Sequence, residues 1–314
     1  MNIPDLTRII KEIGRGKNAA RDISREDARA LFAAMLAGTV PPLQLGAVLL
    51  ALRIKGESLD ELAGFLDAAH ASLNKLTAPA GTTPLVIPAY NGARKMPNLT
   101  PLLAHLAARE GVPVLVHGVA RDAARVTTCE IFAAMGVKPA RDMNEAIEQL
   151  AEQRLSFITI ETLAPALAGL LALRTQLGVR GSGHTIVKML QPFATPALRL
   201  VSVTHPDYLA RMREFFTTRD GGALLLRGAE GEAVAHPRRE PSILFADGRA
   251  VHTWNAEIEN EPAMPDDRVA AVTAAWINDA LAGSVAIPRA ITHQAACCVR
   301  AAQTMHKQCT NTKC

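Results

Sequence analysis

Along the first quarter of the chain, apolar residues recur at helical spacing. Leu45, Val48, Leu49 and Leu52 fall three and four apart after Pro41 and Pro42, a pair that opens a helix and cannot continue one. Ser24 with Asp27, and Ser58 with Glu61, have the spacing of a capping box, in which a hydroxyl accepts an orphan backbone N–H and the acid reaches back. Residues 1–77 therefore read as a small helical domain. After a linker-like stretch at 77–81, short β-branched runs alternate with longer helical ones. The strands predicted are 85–87, 112–116, 157–160, 198–203 and 223–226, with helices at 99–110, 127–135, 162–177 and 206–216. Such alternation predicts an α/β domain over residues 82–314, a mainly parallel sheet covered by helices. Ligands of open α/β sheets gather at the carboxyl ends of strands, which points to the turns after Ile87 and Val116.

Composition narrows the partners. Hydrophobic residues make up 49% of the 314, enough to fill two cores, but aromatics are only 4%, so recognition dominated by base stacking is disfavoured. The amino-terminal stretch is amphipathic with both charge signs, and no apolar run is long enough to cross a bilayer, which predicts a cytoplasmic protein without a membrane partner. Cys129 stands alone while Cys297, Cys298, Cys309 and Cys314 lie late, which is no disulfide framework. His293 and His306 fall among those late cysteines. Adjacent Cys297 and Cys298 are poor ligand geometry and paired spacing is missing, so neither a metal site nor a cofactor is expected. The tail after Arg300 reads as locally disordered.

A net charge of +4 is too small to name a polyanionic partner, but the charge is segregated. Residues 1–25 carry six cations, Arg15 and Lys17 among them, against three acids, and residues 289–314 hold four cations and no acid. Five acids gather at 257–267 without a cation. Solvated helix faces account for part of this.

Three basic segments carry the candidate chemistry. The turn after Ile87 offers only Gly92 to cradle a phosphate, yet it holds Arg94 and Lys95, which can grip phosphates through side chains, a route that suits a polymer backbone. An exposed basic turn without function is the plain alternative. Beyond Val116, Arg121 and Arg125 lie four apart and would share a helix face; His117 reads as a hydrogen-bonded structural histidine, and no catalytic residue is assigned. Arg180 precedes a Gly-Ser-Gly stretch leading into an apparent helix with His184 and Lys188 one turn apart, a weak anion-binding signal that the neighbouring cations strengthen. Arg238 and Arg239 form a further basic pair, read equally as a rim contact or a solvated loop.

The residues at 23–31, 35–46 and 51–58 resemble the helical domain of anthranilate phosphoribosyltransferases, and the likeness continues from Val116-His117-Gly118 to Gly136 and weakly around Pro192. It covers most of the chain. The resemblance implies a helical domain completed by helices within 162–192, a larger α/β domain of phosphoribosyltransferase/nucleoside-phosphorylase type, and a homodimer. The departures bear on function. The family's Gly-Thr-Gly-Gly-Asp-Gly turn falls on residues 88–93, where none of it is kept in place, although Asn98 matches the following asparagine. Its Lys-His-Gly-Asn has become Val116-His117-Gly118-Val119, and the Asp-Glu pair that holds magnesium falls near Ala233 and Val234. A diphosphate and its metal lose their charge match there, while Arg125 in the place of the family's second lysine still suits an anion.

The same departures resemble a bacterial offshoot of the family, the YbiB-type DNA-binding proteins, with residues 14–17 and 180–188 as the segments in common. The resulting expectation is a binder of DNA or RNA making largely sequence-independent phosphate contacts, and no catalytic role. Its candidate residues are Arg15, Lys17, Arg94, Lys95, Arg121, Arg125, Arg180, His184 and Lys188. The alternative is a phosphoribosyltransferase with an altered acceptor and a weakened diphosphate–metal site. A scaffold that holds a small phosphorylated metabolite without turnover is the third.

Overall fold

The computed structural model describes residues 5–16, 18–204, 206–218 and 222–311. The chain divides into two compact units, residues 1–74 with 163–192, and residues 75–162 with 193–314. The linker-like stretch at 77–81 belongs to the second.

In the first unit, α1 (Leu6–Ile13), α2 (Arg25–Leu36), α3 (Pro42–Lys55) and α4 (Leu59–Ala71) are joined by the later short helices Pro165–Ala172, Arg174–Leu177 and Gly183–Ile186. The α2 and α4 helices pack face to face, Phe32 stacked on Phe65 at 5.1 Å between ring centroids. Gly64 lets them approach: a Cβ there would strike the carbonyl of Arg25. The box at Ser58 closes fully, with Glu61 N donating to Ser58 Oγ and Ser58 N donating to Glu61 Oε2 at 2.7 Å. That carboxylate is fully buried and also accepts from Ile23 N at 3.0 Å and Lys55 Nζ at 2.7 Å. The box expected at Ser24 is half formed. Ser24 Oγ accepts from Asp27 N, but the shorter Asp27 side chain turns to Arg8 at 2.6 Å. On α3, Val48, Leu49 and Leu52 are buried, while Leu43, Leu50 and Ile54 on the other face are 87%, 42% and 64% exposed.

The second unit is a seven-stranded sheet formed by β1 (Leu85–Ala89), β2 (Val114–Gly118), β3 (Leu155–Thr159), β4 (Leu198–Val203), β5 (Ala223–Arg227), β6 (Ser242–Ala246) and β7 (Val251–Asn255). Its order is β3-β2-β1-β4-β5-β6-β7, parallel through β5 and antiparallel thereafter. The first four strands in chain order are almost wholly buried, as parallel strands covered on both faces must be. Helices Thr100–Arg109, Thr128–Ala134, Met143–Gln153, Pro206–Thr217, Ala270–Leu281 and Arg289–Asn311 belong to this unit. The chain runs outward from β1 in one direction and from β4 in the other, so the crevice at the carboxyl ends of β1 and β4 is the switch point of the sheet.

Several expectations shift. The strand expected at 112–116 starts two residues later, at Val114, just after Pro113, which has no backbone N–H to give to a ladder. The helix expected at 162–177 is broken into three short ones, the last two separated from the first at Pro165. The tail after Arg300 is ordered as helix to Asn311, with Ala301, Ala302 and Met305 buried against the sheet unit. Among the described residues no helix is long and apolar enough to cross a membrane.

Candidate anion-binding site

The turn leaving β1 sits at the switch point and presents a run of backbone N–H groups. Such a nest attracts anions. Here the chain fills it with its own carboxylates. The amides of Asn91 and Gly92 both donate to Glu232 Oε1 at 2.6 Å. Those of Lys95 and Met96 donate to Glu230 Oε1 at 2.7 and 3.0 Å, and that of Arg94 to Glu230 Oε2 at 3.1 Å. The remaining amide, of Ala93, pairs with the carbonyl of Val126 at 2.9 Å.

Local geometry explains the fit. Gly92 has φ +64°, and a side chain there would press to 2.9 Å from the Val126 carbonyl, so glycine is required. Glu230 itself sits in the left-handed region at φ +51°, a strained setting for a non-glycine, followed by Gly231 at φ +86°. The segment is bolted down by Gln294, which accepts from Ala235 N at 2.7 Å and donates to the Ala233 carbonyl at 3.0 Å. Beneath it, Thr128 donates to Glu232 Oε2 at 3.4 Å and receives Asn98 Nδ2 at 3.0 Å. Glu232 is only 2% exposed.

Magnesium with a diphosphate does not fit these residues. The amides that would face the diphosphate are taken, and Ala233 and Val234, where the resemblance puts the metal acids, are buried apolar side chains. Among the described residues no group of three His, Cys, Asp or Glu is placed to hold a metal. Cys297 Sγ instead contacts His293 Nε2 at 3.4 Å within one helix.

The expected phosphate residues separate by setting. In the second unit, Arg94, Lys95 and Arg121 are exposed, and their side chains pair with no carboxylate among the described residues. Arg125 is turned inward, donating to the Gly92 carbonyl at 3.2 Å and standing 4.0 Å from Glu230. Arg121 and Arg125 do not share a helix face: Asp122 caps Ala124 N at 2.9 Å, Thr127 Oγ1 bonds the Ala120 carbonyl at 3.0 Å, and Val126 is held extended against Ala93. These local bonds compete with helix, which starts only at Thr128.

In the first unit, Arg15 pairs with Glu12 at 2.7 Å, and Lys17 lies outside the described residues. Arg180, His184 and Lys188 fall on one short helical segment and its approach. Burial, with Arg180 and Arg174 adding, pushes the His184 ring down to about 4, so it is neutral at pH 7 and adds no positive charge to the segment. Arg180 and Lys188 are half-buried and already engaged in contacts.

His117 is buried beside the turn. Its Nδ1 shares a 2.6 Å hydrogen bond with the Tyr90 hydroxyl, burial lowers its pKa to about 3, and Nε2 has no partner among the described residues. Sequence reasoning missed Glu230 and Glu232 as ligands of the turn. The available signal is their spacing around Gly231 just after a strand, a pattern in which only the missing metal acids draw notice.

Comparison with known proteins agrees with this fold. Residues 7–73 match the model of the glycosyl transferase family, helical bundle domain. The chain is 48% identical over 299 residues to the uncharacterized protein YbiB of Escherichia coli (strain K12), covering 94% of this chain and 93% of that one. It is 33% identical over 224 residues to an anthranilate phosphoribosyltransferase of Rhizobium meliloti (strain 1021), covering 69% of this chain and 64% of the enzyme. The fold is shared with the anthranilate phosphoribosyltransferase of Thermus thermophilus, at TM-score 0.75 and 21% identity over 96% of this chain and 89% of that one. The chain belongs to the anthranilate phosphoribosyltransferase-like family, built on the glycosyl transferase family scaffold and closely similar to YbiB.

Proposed function

We propose that the protein binds nucleic acid, DNA or RNA, through sequence-tolerant contacts to backbone phosphates. The observation that carries this reading is the self-ligated turn. Glu230 and Glu232 take the amides that a small diphosphate would need, while the side chains of Arg94, Lys95 and Arg121 stay exposed around it. Amides buried under carboxylates favour no free anion, whereas exposed guanidinium and ammonium groups meet a phosphate chain without requiring a cradle. Arg125 offsets the charge of Glu230, and Glu232 lies below the surface, so the rim keeps its positive sign. The first unit offers Arg15, Arg180 and Lys188 as its own candidates.

A homodimer belongs to this reading. Leu43, Leu50 and Ile54 form an exposed apolar stripe on one face of α3, and a second copy of the chain is the partner the family resemblance suggests.

A second reading keeps the enzyme. The family likeness and the retained N–H nest favour a phosphoribosyltransferase of altered acceptor, in which the Glu230–Glu232 segment withdraws to admit a diphosphate. Thermal shift with phosphoribosyl pyrophosphate and magnesium, run beside an oligonucleotide titration at two salt concentrations, separates the two. Binding of the oligonucleotide that weakens steeply with salt supports the first; stabilisation by the small ligand alone overturns it.

A further inference from the structure

A second cationic hollow lies at the carboxyl end of β5, where the sheet changes from parallel to antiparallel. Leu226 and Arg227 close β5, the segment at 228–241 returns through His236 and Arg239, and β6 starts at Ser242. Together with Leu209 of the helix Pro206–Thr217 they line a hollow of about 250 Å³, with Ala235, Glu240 and Pro241 completing its wall.

Its cations are gathered without a direct ion pair, although the Glu240 carboxylate lies on the same wall. The side chains of Arg227, Arg238 and Arg239 pair with no carboxylate among the described residues, and Glu240, on the wall, forms no ion pair with them. Exposed arginines ordinarily splay apart or find an acid. Here hydrogen bonds fix the backbone of the segment that carries Arg238 and Arg239. His236 Nδ1 accepts from Arg238 N at 3.1 Å, Arg239 N donates to the His236 carbonyl at 3.1 Å, and the base of the segment is tied by the Gly228–Ala235 bridge and by Gln294. Burial and then Arg227 lower the pKa of Arg239, and burial and then Arg239 and Arg238 lower that of His236 against an opposing effect of Glu230.

The donor set has a definite chemistry. Two planar guanidinium groups match the oxygens of one phosphate, and with Nδ1 accepting, the proton of neutral His236 sits on Nε2 as a further donor. A phosphate monoester carries about −1.5 to −2 at neutral pH, against one charge on a backbone phosphodiester, and so answers a pair of arginines better. Leu209, Leu226 and Pro241 give the hollow an apolar wall, and its volume suits a phosphate with a ring-sized body.

We propose that this hollow binds a terminal phosphate monoester carried on a small, partly apolar body, the chemistry shared by a free nucleoside 5′-monophosphate and by the 5′-phosphorylated end of an oligonucleotide. The inference goes beyond the proposed binding to backbone phosphates and does not rest on it, because no residue of the turn after β1 takes part.

Calorimetric titration of the full chain with adenosine 5′-monophosphate and with adenosine tests it. The monophosphate binds and adenosine does not, and the double substitution Arg227→Ala with Arg239→Ala weakens the monophosphate at least tenfold, while R94A with K95A leaves it unchanged. Arg227→Lys with Arg239→Lys keeps the charge and retains part of the affinity, and far-UV circular dichroism verifies that both double variants are folded. Paired oligonucleotides with a 5′-phosphate or a 5′-hydroxyl then assign the source: a gain with the phosphate that R227A/R239A abolishes assigns the strand end, and no gain assigns the free nucleotide. Equal binding of adenosine and its monophosphate, absence of monophosphate binding, or full affinity in folded R227A/R239A would overturn the proposal.

Discussion

Truncating Glu232 to alanine separates a turn filled by its own chain from a turn that merely happens to lie near an acid. The carboxylate is 2% exposed and accepts two amides at 2.6 Å. Glu232→Ala strands both donors below the surface, where an unmade hydrogen bond costs about 1–3 kcal/mol each, offset by relief of burying a carboxylate. The net is ~2–4 kcal/mol. For a unit of this size each kcal/mol moves the midpoint by ~2–4 °C, so the variant melts roughly 4–16 °C lower. The vacated amides then form an ordinary anion nest, and pyrophosphate at about a hundred times its dissociation constant returns about 2.7 kcal/mol to the variant. Differential scanning fluorimetry with and without pyrophosphate reads both effects, with the wild type unmoved by the ligand. A variant that melts within a degree of wild type, or pyrophosphate that stabilises both proteins equally, refutes the self-ligated turn.

Other outcomes follow from the same structure. Lys55→Met leaves the fully buried Glu61 without its cation, and removing one partner of a buried pair costs about 3–5 kcal/mol, read as a lower urea midpoint with unchanged slope. The pH dependence has a definite sign. His117 titrates at about 3 when folded against an ordinary 6.5, so its neutral form contributes stability that is complete above pH 6.5 and lost as pH falls toward 3. Denaturation midpoints therefore decline below pH 6.5, and in His117→Gln that decline flattens by up to ~1.4 kcal/mol per pH unit, one proton's worth. Leu50→Glu with Ile54→Glu converts the proposed dimer to a monomer by light scattering while leaving helix content unchanged, because both side chains face solvent within one chain.

What the sequence discloses depends on where each signal is local. The helical unit is legible because caps and apolar spacing are short-range: Ser58 and Glu61 form the box their spacing announces. The strand at 198–203 is legible because burial on both faces makes its apolar run continuous. The hairpin of β6 and β7 escapes notice, although Asp247 with Gly248 marks its turn, because β7 is an edge strand whose residues are all at least partly exposed. The end of the helix Arg289–Asn311 after Arg300 resembles a loose tail because its buried residues are few, the small Ala301 and Ala302 with the single large Met305, so its apolar signal is weak. At the candidate site, charge alone is enough to single out Arg94 and Lys95, which are exposed on the turn. Glu232 stays hidden, since it reaches Asn91 across 141 positions of chain and no local pattern encodes such a partner. Arg121 and Arg125 show the reverse failure, a helical spacing defeated by an aspartate cap and a bridge to Ala93.

The central claim is that exposed cations around a self-filled turn hold phosphates of a nucleic-acid chain. Oligonucleotide affinity measured against salt concentration, for wild type and for Arg94→Ala with Lys95→Ala, tests it most directly. Each phosphate neutralised contributes about 0.7–0.9 to the magnitude of the log–log slope, so losing two cations flattens it by ~1.4–1.8 and weakens binding most at low salt. A flattened slope in a variant that melts like wild type is the result predicted. An unchanged slope, or wild-type affinity that does not respond to salt, contradicts the account.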